Sequence, residues 1–237
     1  MLGELYWPGP LTLVLPRKQS SNISLLASAG LDTIAVRVPA HPIAKRLLSM
    51  CERPLAAPSA NRSGSISPTN SAHVASSLGN NISAVIDGGP CTIGLESTVV
   101  GFEGDQSILL RQGGITYEDI KAIIGPVMLA SQDSEITSPG MLQRHYAPQS
   151  PIRLNANHVS SGDLVLGFGP VNDMDFPDGS LNLSESADLT EAAANLFAMM
   201  RALDGKNPRS IVVMPIPKHG LGAAINDRLN RACANNE

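Results

Sequence analysis

The chain reads as an α/β or α+β protein, a mixed sheet with helices followed by a small second α/β unit, and three observations predict this. Short runs rich in β-branched residues, bounded by Pro or Gly, alternate with helix-like segments over the first 125 positions. Some of those runs follow one another directly while others are separated by helices, which disfavours a purely doubly wound sheet. From Pro126 to Ser150 the periodicity lapses, and after it a second alternation of strand and helix patterns begins. The expected organisation is therefore a domain over 1–125, a joining segment over 126–150 and a C-terminal domain over 151–237.

Each element has its own local reason. LTLVL (Leu11 to Leu15) and TIAVRV (Thr33 to Val38) read as strands, being short, β-branched and closed by Pro or Gly. SNISLLASAG, from Ser21 to Gly30, opens on capping residues and ends on Gly, and HPIAKRLLSM carries Pro42 in its first turn, so both read as helices. LAAPS (Leu55 to Ser59) is a short apolar run leading into a polar loop. In SPTNSAHVASSLG, Ser67 is the expected N-cap, Pro68 the first helical residue and Gly79 the stop. ISAVID, STVVGF and SILLRQG read as three partly meandering strands, and ITYEDIKAIIG as a helix from Thr116. In the C-terminal region IRL, DLVLGF and SIVVMP are the expected strands, with ADLTEAAANLFAMMRALDG and GLGAAINDRLNRACA as helices.

Composition narrows the function classes. The chain has 237 residues, 43% hydrophobic and 16% charged, with net charge −4, which suits a globular protein with a sizeable core. Aromatic residues make up only 3%, too few for a broad base-stacking platform. No apolar run approaches a membrane span and no basic leader precedes the apolar residues of MLGELYWPGPLTLVLP, so a cytoplasmic protein is expected. Cys51, Cys91 and Cys233 are odd in number and widely spaced, so free, buried or half-buried thiols are expected rather than disulfides or a zinc site.

No GxxxxGK[ST] loop occurs, and the GLG at Gly220 to Gly222 lacks a dinucleotide fingerprint. PSANRSGSISPT, from Pro58 to Thr69, offers hydroxyls, a carboxamide and a helix start; it can hold phosphate oxygens, or can be an ordinary polar turn with an N-cap. Arg37 and Arg111 fall in strand patterns, where a guanidinium must either reach an edge or face a polar cleft and grip an anion. Ser97 and Thr98 open a further strand beside them in GLESTVVGF. His41 and His73 lack ligand-spaced partners, and core or surface roles fit them better than metal ligation. SPGMLQRHYAP is a breaker-rich loop that nonetheless sets Arg144, His145 and Tyr146 in a row; it is either a solvated linker or part of a site.

WPGPLTLVLPR, TIAVRVPAHP, APSANRSGSISPT, ESTVVGF, LLRQGGIT and SPGMLQRHYAP occur in that order with compatible spacing, followed by the GLGAAINDRLNRA stretch. Together they resemble the long form of the threonylcarbamoyl-AMP synthase family. The resemblance implies a YrdC-like twisted mixed sheet with helices, a linker, and a small C-terminal Rossmann-like α/β domain. It implies condensation of L-threonine, bicarbonate and ATP to threonylcarbamoyl-AMP and pyrophosphate, for tRNA threonylcarbamoyladenosine modification completed by downstream partner proteins. Mg²⁺ is expected with ATP, and no residue is assigned a covalent catalytic role. By the same resemblance Thr33, Ser59, Asn61, Ser67, Arg111 and Tyr146 are ATP-binding positions, and Arg37, Ala57 and Ser97 surround threonine.

Tyr146 is expected on a lid over the cleft, with Pro139 and Gly140 shaping its path. Family members also carry an opening strand-and-helix region with a Lys-x-Arg motif before WPGP, and this chain resembles a member shortened there, since Arg17 and Lys18 lie after the strand. The competing expectation is a shortened nucleotide- or RNA-binding module without synthesis. Net charge −4 argues against more than weak RNA binding.

Overall fold

The structure is a computed structural model that describes residues 1–130, 146–154, 156, 158–171 and 176–233. Pro139, Gly140, Arg144 and His145 of the SPGMLQRHYAP loop lie outside the described residues. The elements in chain order are α1 (Leu2–Tyr6), β1 (Leu11–Pro16), β2 (Thr33–Val36), α2 (Pro42–Cys51), α3 (Ser71–Leu78), β3 (Thr98–Glu103) and β4 (Gln106–Arg111). They continue with α4 (Tyr117–Ile124), β5 (Val127–Leu129), β6 (Ile152–Leu154), β7 (Leu164–Gly167), β8 (Leu181–Asn182), α5 (Leu189–Asp204), β9 (Ile211–Val213) and α6 (Leu221–Cys233). Two compact units divide the chain, Met1–Pro58 with Glu96–Leu142, and Ser59–Leu95 with Gln143–Glu237.

The first unit holds a mixed five-stranded sheet in the order β2-β1-β3-β4-β5. β1 runs antiparallel to β2 and parallel to β3, β3 and β4 are antiparallel, and β5 lies parallel to β4. The β3–β4 hairpin closes through Gly104 and Asp105, with Glu103 opposite Gln106. Gly104 has φ +57, the left-handed value a two-residue hairpin loop asks of its first position. Leu11, Leu13, Val100, Leu109, Ile115, Ile120 and Val127 form the core against Leu2 of α1. α2 starts on Pro42 after the His41 cap, yet buries no residue; Ile43, Leu47 and Met50, spaced along one face, are exposed.

The second unit contains a parallel four-stranded sheet in the order β6-β9-β7-β8. α5 supplies Ala192, Ala193, Leu196, Phe197, Met200 and Leu203 to its core, and α6 supplies Ile225, Leu229 and Ala232. Ile66 and Tyr146 belong to the same core. Residues 59–95 thus pack with the C-terminal strands and helices, a grouping that cuts the chain differently from the boundaries expected at 125 and 151.

Several local expectations are corrected. SNISLLASAG forms only a short 3-10 turn, Leu25–Ser28, capped by Ser24. α3 begins at Ser71 rather than after Ser67, because Asn70 is the cap: its side chain accepts from the His73 amide at 2.9 Å. ISAVID is not a strand; Val85 and Ile86 are exposed, and β propensity without a neighbouring ladder makes no strand. α1, β5 and β8 were not expected, being five, three and two residues long. Cys51 and Cys91 are exposed rather than buried, while Cys233 is half-buried and all three are free. Among the described residues no helix is long and apolar enough to cross a membrane.

Candidate functional site

In the first unit the site grows from one end of the mixed sheet. The start of β1 faces the start of β3 through the Leu11–Thr98 and Thr12–Val99 pairs, and the end of β4 meets β3 through the Val99–Arg111 pair. Arg37 directly follows Val36, whose partner is Leu13, so it reaches the same end from β2. The register therefore sets Arg37, Thr12, Ser97 and Arg111 along one rim although they are far apart in sequence.

Arg111 grips Ser97 there. Its Nε and Nη2 donate to the Ser97 carbonyl at 3.1 and 2.9 Å, and Nη2 also donates to Ser97 Oγ at 3.0 Å. Thr12 Oγ1 shares a further hydrogen bond with that hydroxyl at 2.7 Å. Ser97 is only 4% exposed, so the cluster is fixed by its own bonds rather than by solvent. Thr98, fully buried, donates from Oγ1 to the Ile115 carbonyl and accepts from the Ile115 amide, tying the loop after β4 to β3. Gly113 leaves no room for a side chain in that loop, since a Cβ would stand 2.4 Å from the Glu96 carbonyl oxygen. Arg37 lies one residue beyond β2 rather than within it, and its Nε donates to the Gly9 carbonyl at 3.0 Å. Thr33 opens β2 opposite Pro16, and Ala57 is exposed on irregular backbone.

The remaining expected residues belong to the second unit. Ser59 is exposed at its start. Asn61 closes the following turn, donating from Nδ2 to the carbonyls of Arg62 and Ser65 at 2.9 and 3.0 Å. Its Oδ1 is buried and accepts no hydrogen bond among the described residues, which leaves an acceptor for a donor from outside. Ser67 is 6% exposed; the Arg201 guanidinium donates to its carbonyl at 3.2 Å and to the carbonyl of Ile66.

Tyr146 departs from the expected lid. It is 1% exposed and sits in the core of the second unit, stacked on Phe197 with ring centroids 5.3 Å apart and 25° between planes. The Arg228 guanidinium carbon lies 5.4 Å from the centre of its ring. Tyr146 adopts a left-handed φ of +66, and the next amide, of Ala147, donates to the Gly64 carbonyl at 2.8 Å. The aromatic is buried because Phe197 and the fully buried Arg228 enclose it. Thr12, Arg201 and Arg228 were missed in the sequence: Thr12 hides in the alternation of a strand, and the two arginines in ordinary helix patterns.

Known proteins resemble this chain over almost its whole length. Residues 2–113 match the Sua5/YciO/YrdC family model, described as telomere recombination, and residues 115–234 match one described as threonylcarbamoyl-AMP synthase, C-terminal domain. A threonylcarbamoyl-AMP synthase of Bacillus subtilis is 38% identical over 248 residues, covering 98% of this chain and 71% of the relative. The chain belongs to the threonylcarbamoyl-AMP synthase family. A second member, from Pyrococcus abyssi, is 37% identical over 98% of this chain and 72% of its own length. The fold agrees: the crystal structure of P. abyssi Sua5 complexed with L-threonine superposes with TM-score 0.83 at 35% identity, covering 99% of this chain and 73% of that one. Within the family's two-part organisation, the compact units regroup residues 59–95, which lie in the part matched by the first family model, with the C-terminal elements.

Proposed function

We propose that this chain is an L-threonylcarbamoyladenylate synthase that condenses L-threonine, bicarbonate and ATP into threonylcarbamoyl-AMP and pyrophosphate, for tRNA threonylcarbamoyladenosine modification by downstream proteins. The observation that carries the reading is the Arg111 fork on Ser97 at the sheet end that Arg37 also reaches. Two guanidiniums at one rim suit a reaction between a carboxylate-bearing amino acid and a polyphosphate. Arg37 pairs the threonine carboxylate, with Ser97 and the Ala57 backbone beside it. Arg111 balances phosphate charge, while Thr33, Ser59, Asn61 and Ser67 serve the nucleotide and the buried Tyr146 holds the segment beside them, its neighbour Ala147 bonded to the Gly64 carbonyl.

The chemistry asks for positioning rather than a protein nucleophile. Threonine's amine and bicarbonate give a carbamate with loss of water. A carbamate oxygen then attacks the α-phosphorus, the bond from that phosphorus to the bridging oxygen breaks, and pyrophosphate leaves. Arg111, pre-oriented by three hydrogen bonds to a buried serine, keeps its charge through the step at no reorganisation cost. The buried Asn61 Oδ1 is free to accept an N–H or O–H of the nucleotide. Mg²⁺ accompanying ATP would supply charge neutralisation at the triphosphate. Among the described residues no group of three or more His, Cys, Asp and Glu could hold it.

The test is pyrophosphate release with each reactant withheld in turn. Release that requires threonine, bicarbonate and ATP together supports the reading. ATP binding without release under any mixture would instead identify a nucleotide-binding module.

A further inference from the structure

One face of α5 holds both nucleotide segments assigned to the second unit. Phe197, Arg201 and Asp204 stand at i, i+4 and i+7, a spacing that puts them on one side of a helix. Phe197 stacks on Tyr146. One turn further, Arg201 donates to the carbonyls of Ile66 and Ser67. Beyond it, the Asp204 carboxylate accepts the amides of Gln149 at 3.1 Å and Ser150 at 2.8 Å.

The Ile66–Ser67 carbonyls take both of these bonds from one guanidinium. These residues are buried, at 3% and 6% exposure, yet they precede α3 and belong to no helix or strand that would pair their backbone. The turn before them is closed by Asn61 and the helix after them is capped by Asn70, so both ends of the segment are set. Its middle depends on the planar fork of a guanidinium, which meets two successive carbonyls at once where an ammonium can only act as a point. α5 is a suitable base for this, a 16-residue helix capped by Asp188 and buried at Leu196, Met200 and Leu203.

We propose that Arg201 is a positioning residue for the synthase reaction: by fixing the Ile66–Ser67 backbone from α5, it aims the Ser67 hydroxyl at ATP, which gives the C-terminal region a part in nucleotide binding. The proposal rests on the reading of Ser67 as an ATP contact, and the experiment separates the two. ATP and threonine affinities of the full chain are measured by calorimetry for Arg201→Met, Arg201→Lys, Ser67→Ala and the Arg201→Met/Ser67→Ala pair.

Arg201→Met should weaken ATP binding by about tenfold and leave threonine binding unchanged, with Arg201→Lys intermediate. The pair should bind ATP no worse than the weaker single variant, because Arg201 acts through Ser67. Additive losses, or unchanged ATP affinity in Arg201→Met when Ser67→Ala is weakened, overturn the proposal. Unchanged ATP affinity in Ser67→Ala overturns the reading of Ser67 instead.

A second measurement needs no nucleotide. His73, which accepts from the Thr69 amide at Nδ1, is held below the ordinary histidine value by burial and by the nearby Arg201 charge. Arg201→Met should therefore raise the His73 pKa in NMR titration and speed hydrogen exchange at the Ala147 amide, while amides in the middle of α5 stay protected. Unaltered exchange and titration refute the clamp, whatever the chain's affinity for ATP.

Discussion

Replacing Arg111 by Met tests the centre of the first unit's site through two separate readouts. The methionine keeps much of the aliphatic stem but removes the guanidinium that gives the Ser97 carbonyl both of its side-chain hydrogen bonds, at 3.1 and 2.9 Å. Ser97 Oγ retains Thr12 at 2.7 Å, so the principal loss is one buried carbonyl left without its charged donor. Stranding such a group costs about 1–3 kcal/mol. For a protein of this size each kcal/mol lowers the melting temperature by about 2–4 °C, so a fall of about 2–12 °C is expected. ATP affinity should drop further, since removing one partner of a desolvated charge pair costs about 2–5 kcal/mol, while threonine affinity changes less. Arg111→Lys should recover part of the ATP affinity through its charge but little of the melting temperature, because an ammonium cannot reproduce the fork. Thermal unfolding and calorimetry on the three proteins decide the matter. An unchanged melting temperature would refute the structural role of the fork, and unchanged ATP affinity would refute its assignment to phosphate.

Arg37→Ala should weaken threonine binding more than ATP binding, by about 2–5 kcal/mol if the carboxylate pair is desolvated; calorimetry showing an intact threonine affinity would count against that assignment. Tyr146→Ala should destabilise the second unit by about 3–5 kcal/mol, as for a buried aromatic, and a variant that melts like the wild type would contradict the packing against Phe197 and Arg228. Burial alone would raise the carboxyl of Asp163, but the Ser160 amide, the Ser210 hydroxyl, Arg153 and Arg209 outweigh it and hold the group below its usual value. Its contribution to stability is thus present above about pH 3.9 and lost as pH falls through the lowered folded value, so Asp163→Asn should flatten the acid limb of a melting-temperature profile.

The sequence made the regular elements legible wherever local chemistry and tertiary packing agree. Pro42 after His41 starts α2, Thr116 caps α4, and the long apolar stripe from Ala192 to Leu203 becomes the buried side of α5. It failed where pairing decides. β5 and β8 are too short for any pattern and exist because β4 and β7 offer them an edge. ISAVID has the right residues and no such edge. The start of α3 moved from Ser67 to Asn70 because two capping residues competed, and the carbonyls of Ile66 and Ser67 had already been taken by Arg201.

The site shows the same division between what a motif announces and what holds it. Arg111 and Ser97 could be singled out as polar groups in strand surroundings, but their direct contact follows from the register of β3 and β4, which no spacing in the sequence reveals. Tyr146 was legible as a residue too costly for a passive tether. Its exposure was misjudged, because a loop residue bounded by breakers reads as solvated until a helix distant in sequence is known to supply a ring and a guanidinium against it. Phe197, Arg201 and Asp204 were invisible for the opposite reason. At i, i+4 and i+7 they look like the border of any amphipathic helix, and nothing in that border distinguishes a solvated edge from a template. Only the backbone groups opposite them do: outside the helices and strands, buried at Ile66, Ser67 and Ser150, and in the two segments where the Ser67 and Tyr146 assignments fall. A guanidinium and a carboxylate on one helix face therefore act on main chain rather than on ligand, and their effect on catalysis can be read only through the residues they hold.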